Sequence, residues 1–308
     1  YGFVELNRRY GNVLLPKIEL IDAKEKHRKK EMKGHFSDRL LKLIQEALNE
    51  KEQVILFQNR RGFSPVVECT TCGVSPQCPN CDVSLTYHKF KHELRCHYCN
   101  YQRAMPNNCD ACGSNTLDHK GFGTEQIELE LRALFPDHTI GRMDLDTTRG
   151  KHGYQKIIGA FEAREIDVLV GTQMLSKGLD FDNVSLVGII NADSMLNFPD
   201  FRAHERAYQM MVQVSGRAGR NKKQGNVAIQ TFNPYHQILQ QVAATNYTEM
   251  YNEQLQDRWQ YKYPPYYRLI KITLKHRDYN NVDNGINWLA KALQNSFGEF
   301  VLGPTAPA

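Results

Sequence analysis

The chain has 308 residues, of which 41% are hydrophobic and 24% charged, and a formal net charge of +5. This length allows two domains of about 150 residues each, and the composition is that of soluble globular proteins. Apolar runs stay well short of the roughly 20 residues that a membrane-spanning helix needs, and no secretory signal pattern opens the chain. We therefore expect a cytoplasmic protein with no membrane contact. The small positive charge permits nucleic-acid binding without requiring it.

Strands and helices alternate along most of the chain. In order, the predicted elements are a helix capped by Ser37, a strand from Val54 to Phe57, a helix from Glu125 to Leu134 with Thr124 as N-cap, a strand from Thr139 to Met143, a helix from Tyr154 to Arg164, strands from Asp167 to Val170 and from Ser185 to Ile190, a helix from Arg202 to Val214, and a strand from Asn226 to Thr231. This alternation predicts an α/β domain with a mainly parallel sheet.

All eight cysteines occur in four C-x-x-C pairs, which are Cys69/Cys72, Cys78/Cys81, Cys96/Cys99 and Cys109/Cys112. In a reducing compartment, two such pairs supply the four thiolates of one tetrahedral Zn²⁺ site, so the chain is expected to hold two Zn²⁺ ions. A hairpin predicted between the inner pairs brings those pairs to one ion and leaves the outer pairs for the other. The compartment disfavours disulfides, whereas an iron–sulfur site uses the same ligands and stays open as the alternative.

Residues 65–116 are expected to form a zinc-binding insert that depends on its metal, because the segment has few large apolar residues for a core of its own. Three histidines lie within it, at positions 88, 92 and 97. Eight thiolates already complete two sites, so we expect these histidines at the surface or facing nucleic acid.

Two further stretches carry chemistry: the buried strand and Gly-containing turn from Val168 to Phe181, and Gln213-Val-Ser-Gly-Arg-Ala-Gly-Arg220. They resemble motifs V and VI of superfamily 2 helicases, in which arginines stabilise the γ-phosphate of a nucleotide bound by another domain. The phosphate-binding pattern G-x-x-x-x-G-K-[ST] does not occur in the sequence. We therefore expect this chain to be the C-terminal part of a larger motor, and not to hydrolyse ATP by itself.

The order of motifs resembles the PriA family of bacterial replication-restart helicases, the primosomal N-prime proteins. The resemblance rests on Phe57 to Pro65, the four cysteine pairs, Gly121 to Gln126, Met143 to Thr148, the motif V stretch, Asp200 to Arg206 and Gln213 to Arg220. It implies a second RecA-like helicase lobe with an inserted two-zinc module. It also implies an ATP- and Mg²⁺-dependent 3′ to 5′ DNA helicase that recognises stalled forks, with forked and single-stranded DNA, primosome proteins and single-strand-binding protein as partners, and a monomeric state.

The resemblance assigns roles to individual positions. Arg220 is expected to be the catalytic arginine finger, with Arg217 as second choice, and Gly178, Asp180 and Gln213 are expected to contact the nucleotide. The alternatives are a surface or capping role for the arginines, an ordinary turn for Gly178 and Asp180, and helix packing for Gln213. DNA phosphates are expected at Thr172, Asn59, Arg60 and Arg61. Asp144 and Asp146 are expected to form a solvated turn rather than a catalytic pair.

The predicted domains are a linker from a missing first lobe (1–36), a discontinuous helicase lobe (37–64 and 117–233), the zinc-binding insert (65–116) and an incomplete small α/β C-terminal domain (234–308). The basic run from Lys24 to Lys33 is expected to be an exposed linker face. The aromatic stretch from Trp259 to Tyr267 is expected to pack as a connection, with base stacking as the alternative. Beyond it we expect a strand from Leu269 to Lys275 and a helix from Val282 to Phe297.

Two other classes of function remain open at this stage. One is a non-enzymatic zinc-ribbon adapter that binds nucleic acid or replication proteins. The other is a transcription- or RNA-associated zinc-ribbon ATPase; an RNA-binding member of this class would prefer A-form helices.

Overall fold

The computed structural model describes residues 14–59, 66–88, 92–118, 123–148, 150, 152–176, 181–219 and 224–305. Its strands are β1 (Lys17–Asp22), β2 (Met32–Lys33), β3 (Phe36–Ser37), β4 (Gln53–Phe57), β5 (Glu68–Cys69), β6 (Thr86–His88), β7 (Glu93–Arg95), β8 (Gln102–Ala104), β9 (Leu117–Asp118), β10 (Ile140–Met143), β11 (Val168–Gly171), β12 (Val184–Ile189) and β13 (Asn226–Thr231). Its α-helices are α1 (Ala23–Arg28), α2 (Asp38–Asn49), α3 (Thr124–Leu134), α4 (Gly153–Glu162), α5 (Asp193–Leu196), α6 (Ala203–Ser215), α7 (Gln237–Ala243), α8 (Tyr247–Gln260) and α9 (Tyr279–Phe297). None of these helices is both long and apolar enough to cross a bilayer.

The central sheet has six strands in the order β1-β13-β12-β4-β11-β10. Every neighbouring pair is parallel. One row of paired residues crosses the whole sheet near its carboxyl edge, and its members are Leu20, Ile229, Ile189, Phe57, Gly171 and Met143. The predicted α/β fold with a parallel sheet is confirmed.

Hydrophobic side chains fill both faces of this sheet, because its central strands are buried on both sides. Along β4, Val54 and Leu56 belong to the cluster that packs with α2 and α3. Ile55 and Phe57 point to the other face and join the cluster that includes residues of α4, α6 and α7. The lobe is therefore a three-layer α/β domain, with helices on both faces.

The two predicted helix caps have different outcomes. Ser37 caps α2 as expected, since its side chain accepts a hydrogen bond from the Leu40 amide. The prediction that Thr124 caps α3 is wrong: Gly123 is the N-cap residue, and Thr124 is the first residue of the helix. The Thr124 hydroxyl instead donates to Asp144 Oδ2 at 2.6 Å, which ties α3 to the end of β10.

The segment predicted as a linker contributes structure to the lobe. Lys17–Asp22 pairs residue for residue with Asn226–Thr231 and forms the edge strand of the sheet. Asp22 then caps α1 by accepting from the Glu25 amide at 2.9 Å. The linker prediction is therefore wrong for these residues, because the short alternating pattern of an edge strand was hidden beside the basic run that follows it.

The boundary predicted at residue 234 also differs from the structure. Ile238, Leu239 and Val242 of α7 and Met250 of α8 belong to the same core cluster as the sheet. These helices are part of the α/β lobe rather than of a separate domain. The strand predicted from Leu269 to Lys275 is absent, since no strand hydrogen bonding joins this segment to the described residues. The helix predicted from Val282 is present as α9.

The cysteine-rich module is inserted between β4 and α3. Its two ends meet in an antiparallel ladder, in which Glu68 pairs with Asp118 and Cys69 with Leu117. A separate three-stranded antiparallel sheet, β6-β7-β8, forms the inner part of the module. The two ends of the module as described therefore lie side by side, and none of the six strands of the main sheet comes from the module.

Candidate metal centres and helicase motif surfaces

The eight cysteines converge in two groups, with the nested pairing that the sequence predicts. One group contains Cys69, Cys72, Cys109 and Cys112, and the other contains Cys78, Cys81, Cys96 and Cys99. Within each group, all Sγ atoms lie within 4.8 Å of one another. None of the eight is in a disulfide.

The sulfur separations fit a single tetrahedral ion. The Sγ atoms of Cys69 and Cys112 are 3.7 Å apart, and those of Cys72 and Cys109 and of Cys78 and Cys99 are 3.6 Å apart. Four sulfurs at the Zn–S distance of about 2.3 Å define a tetrahedron with edges of about 3.8 Å. The residues present therefore fit two mononuclear metal sites with four cysteines each, which favours zinc over a multi-iron cluster.

All four C-x-x-C pairs build the same local turn. The first cysteine of each pair donates its amide to the carbonyl five residues later, at 3.0 Å for Cys69, 2.8 Å for Cys78 and Cys96, and 2.7 Å for Cys109. The residue after each pair has a positive φ angle, and these residues are Gly73, Asp82, Asn100 and Gly113. Glycine, asparagine and aspartate are the residue types that adopt this conformation most readily. This recurring residue type was a sequence signal for metal-binding turns beyond the cysteine spacing itself.

The thiols of each cluster shift one another's pKa values in opposite directions. Burial raises the pKa of Cys72 and that of Cys78 to about 12. A hydrogen bond from Cys81 is the main factor that lowers the pKa of Cys96 to about 5. Thiols this close therefore ionise unequally, and a bound divalent ion would let all four carry charge. Backbone amides support the thiolate state, since those of Tyr98 and Tyr101 donate to Cys96 Sγ and Cys99 Sγ, both at 3.4 Å.

An aromatic cluster joins the module to the lobe. Tyr98 of the module, Phe201 before α6 and Tyr263 after α8 are in mutual contact, with ring centroids 4.6 to 6.4 Å apart. The Tyr263 hydroxyl donates to the Cys81 carbonyl at 2.9 Å. Arg258 lies over the Phe201 ring at 5.4 Å and forms an ion pair with Glu205. The inner cysteine cluster is thereby attached to the start of α6, the helix that ends in motif VI.

Half-buried Glu68 of the module and buried Asp193 of the lobe form a second contact between the two parts. Burial, followed by the charge of Asp193, raises the pKa of Glu68 to about 8. Burial also raises the pKa of Asp193 to about 6, although this side chain accepts hydrogen bonds from the Thr231 hydroxyl and the Phe232 amide, both at 2.9 Å. Sequence reasoning missed these residues, because single acidic residues at the start of short elements give no signal of burial.

Motif VI follows α6 and is fixed by backbone contacts at the amino edge of the sheet. The Gly219 amide donates to the Val184 carbonyl at 2.9 Å, at the start of β12. Gly225 packs so closely that a Cβ there would lie 2.4 Å from backbone atoms of Ala218 and Gly219. Of the predicted nucleotide residues, Gln213 is exposed on α6 and Arg217 is 8% exposed. Gly178, Asp180 and Arg220 lie outside the described residues.

The predicted DNA contacts lie at the opposite, carboxyl edge. Thr172 follows β11 directly and is 8% exposed, and its amide donates to the Met143 carbonyl at 3.3 Å. Asn59, two residues beyond β4, accepts a hydrogen bond from Gln173 Nε2 at 3.1 Å. Among the described residues, Gln213 and Arg217 are therefore separated from Asn59 and Thr172 by the length of the strands. Arg60 and Arg61 lie outside the described residues.

Asp144 is not the solvated turn residue that the sequence predicts. It is 7% exposed and accepts hydrogen bonds from Thr124 and from the amides of Asp146 and Thr147. Burial raises the pKa of this carboxyl, but these hydrogen bonds and the nearby Arg142 outweigh it, so the pKa lies below its usual value. Asp144 thus holds the β10 turn against α3, and the expectation that it is not catalytic stays a prediction.

Comparison with known proteins assigns this arrangement. Residues 122–222 match the helicase conserved C-terminal domain, and residues 78–103 match the PriA DNA helicase Cys-rich region (CRR) domain. With the parallel sheet and the cysteine clusters, these matches define a RecA-like helicase C-terminal domain that carries an inserted cysteine-rich module.

The chain is 39% identical to the replication restart protein PriA of Bacillus subtilis over 308 residues, which covers 99% of this chain and 38% of that protein. The PriA protein of Haemophilus influenzae is also 39% identical, with 99% of this chain and 41% of that protein covered. The helicase domain of Pyrococcus furiosus Hef is similar at 17% identity and a TM-score of 0.30, covering 63% of this chain and 25% of that one; this likeness adds no weight. The chain belongs to the PriA family, and it spans about two fifths of the length of these relatives.

Proposed function

We propose that this chain is the second helicase lobe and zinc-binding module of an ATP-dependent DNA helicase that acts at stalled replication forks and promotes primosome assembly in the cytoplasm. The observation that carries the proposal is the identity of 39% to a replication restart protein over 99% of the chain, together with motif VI on this lobe. The two cysteine clusters would hold Zn²⁺, which stabilises the fold of the module.

The nucleotide would lie at the amino edge, between this lobe and a lobe with the phosphate-binding loop and the Mg²⁺ ligands. Arg220, with Arg217 as the second candidate, would stabilise the charge that develops on the γ-phosphate. Gly178, Asp180 and Gln213 would contact the nucleotide. By itself this chain would not hydrolyse ATP, because it has no phosphate-binding loop of the form G-x-x-x-x-G-K-[ST] to hold the phosphates.

DNA would lie at the carboxyl edge, where Asn59 and Thr172 end two adjacent strands. Contacts there would be to phosphates, which position a strand without reading its sequence. Arg60 and Arg61 would extend that surface. The same proposal includes translocation with 3′ to 5′ polarity, preference for forks, monomeric action, and contacts with primosome proteins and single-strand-binding protein. These parts rest on the family alone.

The test is ATP hydrolysis by the full-length parent on forked DNA, with wild type compared with Arg220→Ala. Arg132→Ala is the matched control, since this arginine is exposed on α3 and pairs with Glu128 at 2.9 Å. The expected result is a fall in kcat of about 10³-fold for Arg220→Ala, with nucleotide and DNA binding retained. An unchanged rate in Arg220→Ala would overturn the assignment and favour the non-enzymatic adapter.

A further inference from the structure

The basic run from Lys24 to Lys33 is folded against the lobe. It holds six lysines and arginines but only two acidic residues, Glu25 and Glu31. Both acids already have partners: Lys29 Nζ lies 2.6 Å from Glu25 Oε1, and Lys26 Nζ lies 2.7 Å from Glu31 Oε2. Local pairing therefore uses two cations and leaves the others as net positive charge.

Lys24, Arg28 and Lys30 are exposed, and none has an ion-pair partner among the residues that the structure describes. Lys24 and Arg28 are four residues apart on α1, which places them on one side of the helix at a rise of about 6 Å. Lys30 follows the end of the helix in the next turn. We call these three side chains the α1 surface.

The register of the sheet places the α1 surface at the carboxyl edge. Asp22, the last residue of β1, lies two positions beyond Leu20 in the row that crosses the sheet, just as Asn59 lies two positions beyond Phe57. β1 and β4 are three strand spacings apart in the sheet order, which corresponds to about 14 Å. The α1 surface is therefore level with the proposed DNA contacts, on the same edge of the lobe.

The cysteine-rich module lies between the two surfaces. β13 ends beside Phe232, and the His27 ring of α1 stacks on Phe232 with centroids 5.8 Å apart and an interplanar angle of 17°. On the module side, Gly73 packs on the same residue, since a Cβ on Gly73 would lie 2.2 Å from Phe232 Cβ. Glu68 of the module adjoins Asn191, just beyond β12. The module thus stands over β12 and β13, with α1 on one side and Asn59 on the other.

We propose that Lys24, Arg28 and Lys30 bind DNA phosphates on the side of the module away from Asn59 and Thr172, so that the module separates two DNA contacts. The proposal rests on the proposed function, which supplies the first contact. Phosphates are the fitting ligand because a nucleic-acid strand presents closely and regularly spaced single charges, and exposed lysines and arginines bind them with release of counterions. Their source is the second arm of a fork or its duplex.

The test measures equilibrium binding of the full-length parent to DNA without nucleotide, over a range of salt concentrations. The variant is Lys24→Gln/Arg28→Gln/Lys30→Gln. The control removes three exposed cations elsewhere, by Lys42→Gln/Lys51→Gln/Lys156→Gln, on α2, at the amino end of β4 and on α4. Substrates are a short single strand, a duplex, and a fork with two single-stranded arms.

On the fork, we expect the slope of log K against log[salt] to become shallower by about 2 to 3 for the α1 variant, at about 0.9 per phosphate contact, and to change little for the control. Binding of the short single strand should be unchanged, because Asn59 and Thr172 are intact. If the slope also becomes shallower with the duplex substrate, the duplex is the source of the phosphates. If it becomes shallower only with the two-armed fork, the second arm is the source. An unchanged fork slope overturns the proposal, as does an equal loss on the short single strand, which would mean one continuous surface. Failure of the wild type to bind any of these DNAs would instead contradict the proposed function.

Discussion

The rings of Phe201 and Tyr263 stack with centroids 4.6 Å apart and an interplanar angle of 14°. Phe201 lies just before α6, whose far end leads into motif VI, whereas the Tyr263 hydroxyl donates to the backbone of Cys81 in the inner cysteine cluster. One stacked pair therefore connects a turn of the inner cysteine cluster to α6, the helix that precedes the predicted arginine finger in the chain. The contact is enclosed, since Tyr263 is only 6% exposed.

Tyr263→Phe should loosen the module without changing the lobe. The variant removes one hydrogen bond and leaves the Cys81 carbonyl without that donor, which should cost about 1 to 2 kcal/mol. The expected result is faster amide hydrogen exchange around Cys78–Cys99 with unchanged exchange in β4 and β12. Tyr266→Phe is the control, because that ring is 50% exposed. Equal exchange in Tyr263→Phe and wild type would mean that the hydrogen bond does not hold the module in place.

Removal of the metals should unfold the module and spare the sheet. Each cluster brings four thiols together at separations that fit one tetrahedral ion, and apparent zinc free energies of about 10 kcal/mol or more are typical of such sites. We expect chelation to expose all eight thiols to a thiol reagent while the far-UV signal of the helices is largely kept. Release of about two equivalents of Zn²⁺ should accompany it. Collapse of the entire far-UV signal would show that the lobe depends on the module.

Gly225→Ala should displace motif VI, although Gly225 lies outside the motif and only packs on its backbone. The added Cβ would meet the Ala218 and Gly219 backbone at 2.4 Å, so the loop must shift. A displacement of about 1 Å can lower a rate by about 10²-fold, and we expect a loss of this order in DNA-stimulated ATP hydrolysis by the parent. Gly159→Ala is the control, because its Cβ in α4 would have open space, and this variant should gain about 0.5 to 1 kcal/mol in stability. Full activity in Gly225→Ala would show that the arginine loop tolerates movement.

The stability of the lobe should depend on the ionisation of His236. Burial, with a smaller contribution from His204, lowers the pKa of His236 to about 4, and its Nδ1 accepts from the Ile238 amide to cap α7. A histidine in the unfolded chain has a pKa of about 6.5. Between pH 6.5 and about 4 the unfolded state therefore binds a proton that the folded state does not. The free energy of unfolding falls as the pH is lowered through this window, by at most about 3 kcal/mol.

His236→Asn keeps a capping side chain but removes this titration. The difference in unfolding free energy between wild type and variant should therefore fall as the pH is lowered from 6.5 to about 4. The His204 ring contacts the His236 ring edge-on, with centroids 5.2 Å apart, and Asp82 and Asp257 act on His204 through their charges. All three residues are present in both proteins, so the difference isolates His236. A pH-independent difference would contradict the assigned pKa.

The sequence predicted the elements whose signals are local and strong. The strand at Asn226–Thr231 has the predicted bounds, and the nested cysteine groups follow from the cysteine spacing and the hairpin predicted between the inner pairs. Prediction from the sequence failed where tertiary contacts determine the secondary structure. Lys17–Asp22 becomes a strand because β13 offers a parallel edge, and Leu269 to Lys275 has strand-like residues but no neighbouring strand among the described residues.

The residues of the candidate sites divide in the same way into those with a local sequence signal and those placed by tertiary contacts. Cysteine spacing and motif VI were visible in the sequence, whereas the Glu68 and Asp193 pair depends on where an inserted module docks, which no local pattern encodes. Tyr263 lay within a noted aromatic stretch, yet its partner Phe201 is 62 positions away in the numbering, so their contact could not be inferred from spacing.

The antiparallel ladder of Glu68 with Asp118 and Cys69 with Leu117 brings the two ends of the module side by side. A two-residue turn can close such a ladder, so the lobe could lose the whole module by one deletion and keep its strand order. The ladder thus marks the module as a cassette whose two ends are adjacent. Addition or loss of this cassette during evolution requires no change in the topology of the sheet.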